Sequence, residues 1–108
     1  MGDGQHTWAA AEWVMMLRNC FLREEGEDKL ILCSGLPLEW IETDQEMLFG
    51  PAPTIFGIIS LKLKKTGNEI LVEWWADWHK EAPTIEVSFP GMASVLVPDN
   101  ERQVVILL

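Results

Sequence analysis

Residues 58–79 read IISLKLKKTGNEILVEWWADWH, the pattern of two β-strands joined by a tight turn. Apolar and polar residues alternate in both halves, and this period of two is typical of strands with one buried face. We therefore expect a β-hairpin whose apolar face packs on a core. The apolar set is Ile59, Leu61, Leu63, Ile70, Val72 and Trp74.

The turn of this hairpin is expected at residues 66–67, because glycine tolerates the positive φ that two-residue hairpin turns require. This turn pairs Leu63 with Ile70 on the inner face. On the outer face it sets Lys64 opposite Glu69, an opposite-charge cross-strand pair. A slip by one residue would move every apolar side chain to the wrong face, so the faces are strongly specified.

The chain has 108 residues and a formal net charge of −9. A chain of this length forms one domain and buries roughly two-thirds of its unfolded surface. A strongly negative protein repels phosphate backbones and anionic lipid surfaces. Nucleic acid and membrane partners are therefore not expected.

The sequence shows no sign of membrane insertion or secretion. No apolar run approaches the ~20 residues of a membrane span, and no basic-then-apolar leader is present. Cys20 and Cys33 lie in apolar contexts without metal-ligand spacing. Free buried thiols suit a reducing compartment and are favoured over a disulfide. We therefore expect a cytoplasmic protein with no metal or other cofactor.

The rest of the chain predicts a mainly β (α+β) domain: an antiparallel β-sandwich of six to seven short strands with one N-terminal α-helix packed on it. Residues 1–24 form the lead-in and helix, and residues 25–108 form the sandwich. Residues 23–28 are expected as a solvated turn and residues 103–108 as a strand covered on both faces. The other expected strands are 29–33, 47–49, 84–89 and 94–97.

Residues 8–22, WAAAEWVMMLRNCFL, are strong helix formers and are apolar on two sides. One side packs on the sandwich, and a helix that is apolar all round is normally buried all round. The second side is therefore expected to be an interface, either with another domain or with a second copy in a homodimer. Its residues are Trp8, Ala11, Met15 and Leu22.

Several short motifs carry a resemblance to a known family. They are GQHTWAAAE at 4–12, LRN at 17–19, LREEG at 22–26, LILCSGLP at 30–37 with Trp40, and APTIFG at 52–57. Together they resemble the C-terminal part of large bacterial glycoside hydrolases of the glucoamylase and amylo-α-1,6-glucosidase type. In that family a barrel of paired helices carries catalysis, and a small β-sandwich follows its last helix.

The resemblance implies that this chain is a non-catalytic accessory domain of a hydrolase acting on α-glucans. Its helix then corresponds to the last helix of the barrel, and its partner is the helical catalytic domain. The family's catalytic carboxylates would lie upstream, in sequence that this chain lacks. No catalytic residue is therefore expected here, and the chain by itself is not expected to be an enzyme.

Trp75, Asp77 and His79 are the candidate carbohydrate-binding residues, since all three fall on the outward face of the second hairpin strand. A flat exposed indole stacks on sugar rings, and equally well docks on a neighbouring protein surface. Asp77 and His79 also have the side-chain types that general-base catalysis requires. Polar residues at the end of a strand are, however, more often simply part of the solvated surface.

Two other functions remain open beside the accessory domain. One is a self-contained homo-oligomeric interaction protein in which the helix pairs with its copy. The other is a carbohydrate-binding module that uses Trp75 to bind a glycan.

Overall fold

A computed structural model describes residues 17–41 and 44–108 of the chain. Residues 17–21 are helical, and Leu38–Trp40 forms a single 3-10 turn. Eight strands follow in the order β1 Leu22–Glu25, β2 Lys29–Leu32, β3 Glu46–Thr54, β4 Gly57–Thr66, β5 Glu69–Trp78, β6 Thr84–Val87, β7 Val95–Leu96 and β8 Gln103–Leu107.

The strands form two four-stranded sheets, with orders β1-β2-β6-β7 and β3-β4-β5-β8. The predicted fold class, a mainly β sandwich with one N-terminal helix, is confirmed, with eight strands in place of the expected six to seven and one parallel pair in place of a fully antiparallel arrangement. The described pairs are antiparallel except for β2 and β6, which run parallel. The inner faces of the sheets supply the core, which the sequence pattern anticipated for both hairpin strands. Its fully buried members include Leu22, Leu30, Leu32, Leu36, Ile59, Leu61, Leu63, Ile70 and Val72.

The central hairpin exists, but its register differs from the expected one by two residues. Thr66 pairs with Glu69, so the turn is Gly67-Asn68 rather than 66–67. Gly67 has φ +59°, and a glycine at the first turn position is the pattern of a type II′ hairpin turn. Leu63 therefore lies opposite Val72 instead of Ile70. A shift of two residues preserves the faces, so the predicted inner set remains correct.

The expected charge pair across the hairpin is wrong for the same reason. Lys64 lies opposite Leu71, and Glu69 lies opposite Thr66 at the turn. The neighbouring lysine, Lys62, instead forms an ion pair of 3.3 Å with Glu46 on β3.

The N-terminal boundary of the sandwich also differs from expectation. Helical backbone ends at Phe21, and Leu22 begins β1, where it is fully buried. Residues 23–28 are thus not only a solvated turn, because β1 continues to Glu25 and pairs with β2. The expected boundary between residues 24 and 25 falls inside this strand. Three consecutive charged residues, Arg23, Glu24 and Glu25, hid its strand pattern.

Leu22 therefore cannot belong to an exposed interface stripe of the helix. Its side chain is part of the core of its own chain, since β1 places it opposite Leu32. The other three residues assigned to that stripe, Trp8, Ala11 and Met15, lie outside the described residues.

Strand β8 was expected to be covered on both faces, and this prediction is wrong. Ile106 faces inward and is buried, whereas Val105 is 49% exposed and Leu107 is 70% exposed. The strand lies at the edge of its sheet, and no other described element covers its outer face. An unbroken apolar run in a strand therefore did not mean burial on both sides here.

Both cysteines are free thiols, in agreement with the expectation. Cys33 is fully buried, and burial raises the pKa of its thiol to about 12. Cys20 is only partly buried. In the described ranges, no helix is long and apolar enough to cross a membrane.

Candidate functional site

The outer face of the second sheet holds two of the three predicted sugar-binding residues. Successive side chains of a strand point to opposite faces, so Trp74 enters the core and Trp75 faces outward. Trp74 is 4% exposed, whereas Trp75 is 50% exposed. Asp77 follows on the same outward face and is exposed. A flat indole with a carboxylate about 7 Å along the strand is therefore open to solvent.

The cross-strand neighbours of Trp75 are set by the observed register. Ser60 lies directly opposite Trp75, and Ile58 lies opposite Asp77. The Ser60 hydroxyl therefore lies beside the indole on β4. The next pair on the same face is Ile58 with Asp77. These neighbours supply hydrogen-bonding groups around an apolar platform.

The same face carries a second apolar group at its other end. Leu71 on β5 pairs with Val105 on β8, and Leu107 is the next β8 residue on the same face. Lys62 and Glu73, which pair across β4 and β5, separate this group from Trp75. The outer face is therefore a mixed surface: an apolar group lies at each end, Lys62 and Glu73 lie between them, and exposed Leu48 on β3 lies opposite Lys62.

His79 does not join Trp75 and Asp77. Strand β5 ends at Trp78, and the backbone N–H of His79 donates to the carbonyl oxygen of Phe56 at 2.9 Å. The imidazole lines a different hollow of about 590 Å³, and no described side-chain hydrogen bond joins it to Asp77. The other lining residues of the hollow are Glu27, Ile55, Phe56, Lys80 and Glu81.

A second cavity, of about 530 Å³, lies between the two sheets at one end of the sandwich. Its walls include Trp74 and Trp78 from β5 and Ile85 from β6, and residues 98–102 form part of its rim. The periodicity assigned Trp74 to the core, which is why the sequence did not reveal an opening. The signal available in the sequence was Ala76, a small residue at an inward position of β5, which the structure leaves exposed.

A small polar network fixes the loop between β3 and β4 to the end of the helix. The guanidinium of Arg18 donates to the Glu24 carboxylate at 2.9 Å and to the Pro53 carbonyl at 3.1 Å. The Ile55 N–H donates to the same carboxylate at 3.2 Å. Glu24 was expected in a solvated turn, but here it joins three segments of the chain.

The network also sets the ionisation of Glu24. Partial burial alone would raise the pKa of this carboxyl, but the hydrogen bonds from Arg18 and from backbone N–H groups outweigh it and hold the pKa below the usual 4.5. The group is therefore a charged structural link at neutral pH.

No known protein family, curated protein or solved structure matches this chain. The likeness to glycoside hydrolase accessory domains therefore rests on the short sequence motifs alone. Among the described residues, no group of three or more His, Cys, Asp or Glu side chains is arranged to hold a metal ion.

Proposed function

We propose that this chain is a non-catalytic accessory domain that docks on a partner domain through the outer face of its second sheet. The observation that carries the proposal is the half-exposed Trp75 at one end of that face, with exposed Ile58 on the next strand. Large exposed apolar side chains gathered on one face are typical of interaction surfaces, whereas scattered ones need no explanation. The sequence motifs supply the partner class, a helical catalytic domain acting on α-glucans.

The energetic argument concerns the apolar area left in contact with water. Burying it against a partner is favourable by roughly 25 cal/mol for each Å². Aromatic anchors contribute most in such contacts, particularly when charged groups surround them and stay at the rim. Lys62 and Glu73 border Trp75 on one side.

The docking test is co-purification with the helical barrel domain of a glycoside hydrolase acting on α-glucans. Trp75→Glu is expected to abolish co-purification, because it replaces the aromatic anchor of the contact with a charge. Trp40→Glu is the matched control, since Trp40 is 46% exposed but belongs to the 3-10 turn. Co-purification that survives Trp75→Glu, or is lost equally in both variants, would contradict docking through this face.

A carbohydrate-binding module is the second candidate, and the placement of Ser60 beside Trp75 favours it. A sugar ring stacks its apolar face on an indole, while its hydroxyls bond to flanking polar groups such as Ser60 and Asp77. Titration calorimetry with maltooligosaccharides tests this function. Trp75→Ala is expected to remove the binding heat and Trp40→Ala to retain it. Absence of any heat with the unaltered chain would count against α-glucan binding without affecting the docking proposal.

A further inference from the structure

The free edge of β8 can be located from two backbone hydrogen bonds. The Leu108 N–H donates to the Asn68 carbonyl at 2.7 Å, and the Trp74 N–H donates to the Arg102 carbonyl at 3.0 Å. In an antiparallel ladder, hydrogen-bonded pairs alternate with pairs that make no mutual bonds. Even-numbered residues of β8 therefore bond to β5. The N–H and C=O groups of Gln103, Val105 and Leu107 point away from it.

The other described sheet edges carry features that prevent strand addition. Strand β1 holds three charged residues in its four positions, and β7 has only two residues. Strand β3 contains Pro51, Pro53 and a register irregularity after Phe49. Charges, proline, bulges and shortness are the usual protections of an edge.

Strand β8 has none of these protections. Its sequence QVVIL has no charge, proline or glycine, and its pairing with β5 is regular over all five residues. Its outward side chains Val105 and Leu107 are substantially exposed. An edge of this kind is a template for another strand.

We propose that two copies of this chain pair through β8 in antiparallel orientation, with Val105 on the two-fold axis. Gln103 of each copy then lies opposite Leu107 of the other, and Val105 lies opposite its own copy. The outward backbone groups of the three residues form about six hydrogen bonds across the axis. The two second sheets become one continuous eight-stranded sheet.

The features of the edge favour a second copy over a foreign strand. The free groups are spaced symmetrically about Val105, so a two-fold axis satisfies all of them with no overhang. The strand is uncharged, so the pairing brings no like charges directly opposite one another, although each chain carries −9. Because the other described edges are protected, the pairing closes at a dimer and does not propagate into a filament.

The position of the edge leaves room for this pairing among the described residues. The end of the helix is held at the opposite side of the second sheet, where Arg18 bonds the Pro53 carbonyl on β3. The inference is independent of the proposed docking function, because it uses backbone groups in the plane of the sheet rather than its outer face. It also differs from the helix-mediated homodimer that the sequence suggested.

The first experiment is sedimentation equilibrium from micromolar to millimolar concentration. A pairing of five-residue strands is a small interface, so we expect a concentration-dependent monomer–dimer equilibrium. Val105→Pro removes the N–H at the axis and no bond to β5, and edge positions whose N–H faces solvent tolerate proline. It should be monomeric and folded, whereas Val105→Thr keeps the N–H and should remain dimeric.

A charge-exchange experiment keeps the proposal testable if Val105→Pro does not fold. Val105→Lys and Val105→Glu each place like charges directly opposite on the axis and should raise the dimer dissociation constant by about tenfold. An equal mixture of the two should form a heterodimer, because opposite charges then face each other. An unaltered chain that is monomeric throughout, or a dimer indifferent to these changes at Val105, would overturn the proposal.

Discussion

Trp74 and Trp75 are neighbours in sequence and identical in chemistry, yet they have opposite environments. Trp74 lies opposite Leu61 in the core, and Trp75 lies opposite Ser60 in contact with solvent. The difference comes only from the alternation of side chains along a strand. Composition therefore does not decide which tryptophan stabilises the fold and which remains available for binding; position on the sheet does.

The same contrast extends over the whole hairpin. The centre of its inner face is apolar and buried, and its outer face mixes Trp75 and Leu71 with Lys62, Lys64 and Glu73. A uniform face is readily recognised from sequence because apolar residues recur at every second position. A mixed face has no such recurrence, and its function depends on which residues lie opposite each other on neighbouring strands.

The largest expected effect separates the two tryptophans directly. Trp74→Ala should lower the free energy of unfolding by about 3–5 kcal/mol, because it leaves a cavity in the core. Trp75→Ala should lower it by less than about 1 kcal/mol, as for most surface substitutions. Urea denaturation of both variants measures the difference. Equal losses would show that the two faces are not distinct.

A smaller effect compares the two ends of β4. A Cβ at Gly57, where φ is +145°, would collide with the Asp77 carbonyl oxygen and lie 2.8 Å from the Cα of Trp78. Gly57→Ala should therefore cost about 2–3 kcal/mol of stability. At Gly67 a Cβ meets nothing within 4 Å, and only its φ of +59° is unfavourable.

The matched variant Gly67→Ala should thus cost only about 1 kcal/mol, the penalty of a left-handed conformation. Thermal denaturation of the two glycine variants distinguishes these values. A Gly67→Ala variant as unstable as Gly57→Ala would mean that the turn, rather than the close approach of β5 to Gly57, limits the hairpin.

The smallest expected effect concerns the polar network at the other side of the sheet. The folded-state pKa of Glu24 is lowered, so its contribution is present above pH 4.5 and is lost as the pH falls through the folded value. Glu24→Gln should cost about 1 kcal/mol at neutral pH. The gap between the two proteins should close in acid, as followed by denaturation across pH.

The control for that experiment is Glu25→Gln, because Glu25 pairs with Arg23 on the exposed side of β1 at 3.3 Å. An exposed pair contributes little, so this variant should follow the unaltered protein at every pH. A Glu24→Gln deficit that persists in strong acid would exclude ionisation as its cause.

The sequence predicted most of the strands and the faces of the hairpin, because periodicity acts locally. It failed where the structure depends on contacts between residues distant in sequence. The register depended on which residue began the turn, and the exposure of Leu107 depended on the absence of a described element over the outer face of β8. Strand β1 was missed because Glu24 finds its partner in Arg18, which alternation cannot show.

The predicted site residues were likewise placed correctly only where a regular strand determined their position. Trp75 and Asp77 were correctly placed on one face, since both lie within a regular strand. His79 was not, because the strand ends one residue before it and the backbone bond to Phe56 takes the chain elsewhere. The cavity beside Trp74 and Trp78 arises between two sheets, and no pattern within one strand reports such a space.

The parallel pair of β2 and β6 has a consequence for the order of folding. Lys29 pairs with Thr84, so the contact joins residues whose numbers differ by 84 − 29 = 55. The intervening chain contains all of β3, β4 and β5, whose pairings are local in sequence. Closing a long loop costs entropy before its contacts form, so distant pairings are slow. The first sheet should therefore be completed last during refolding, which pulsed hydrogen exchange would show as late protection of the Leu30 N–H, which faces β6, relative to the Leu71 N–H, which faces β4.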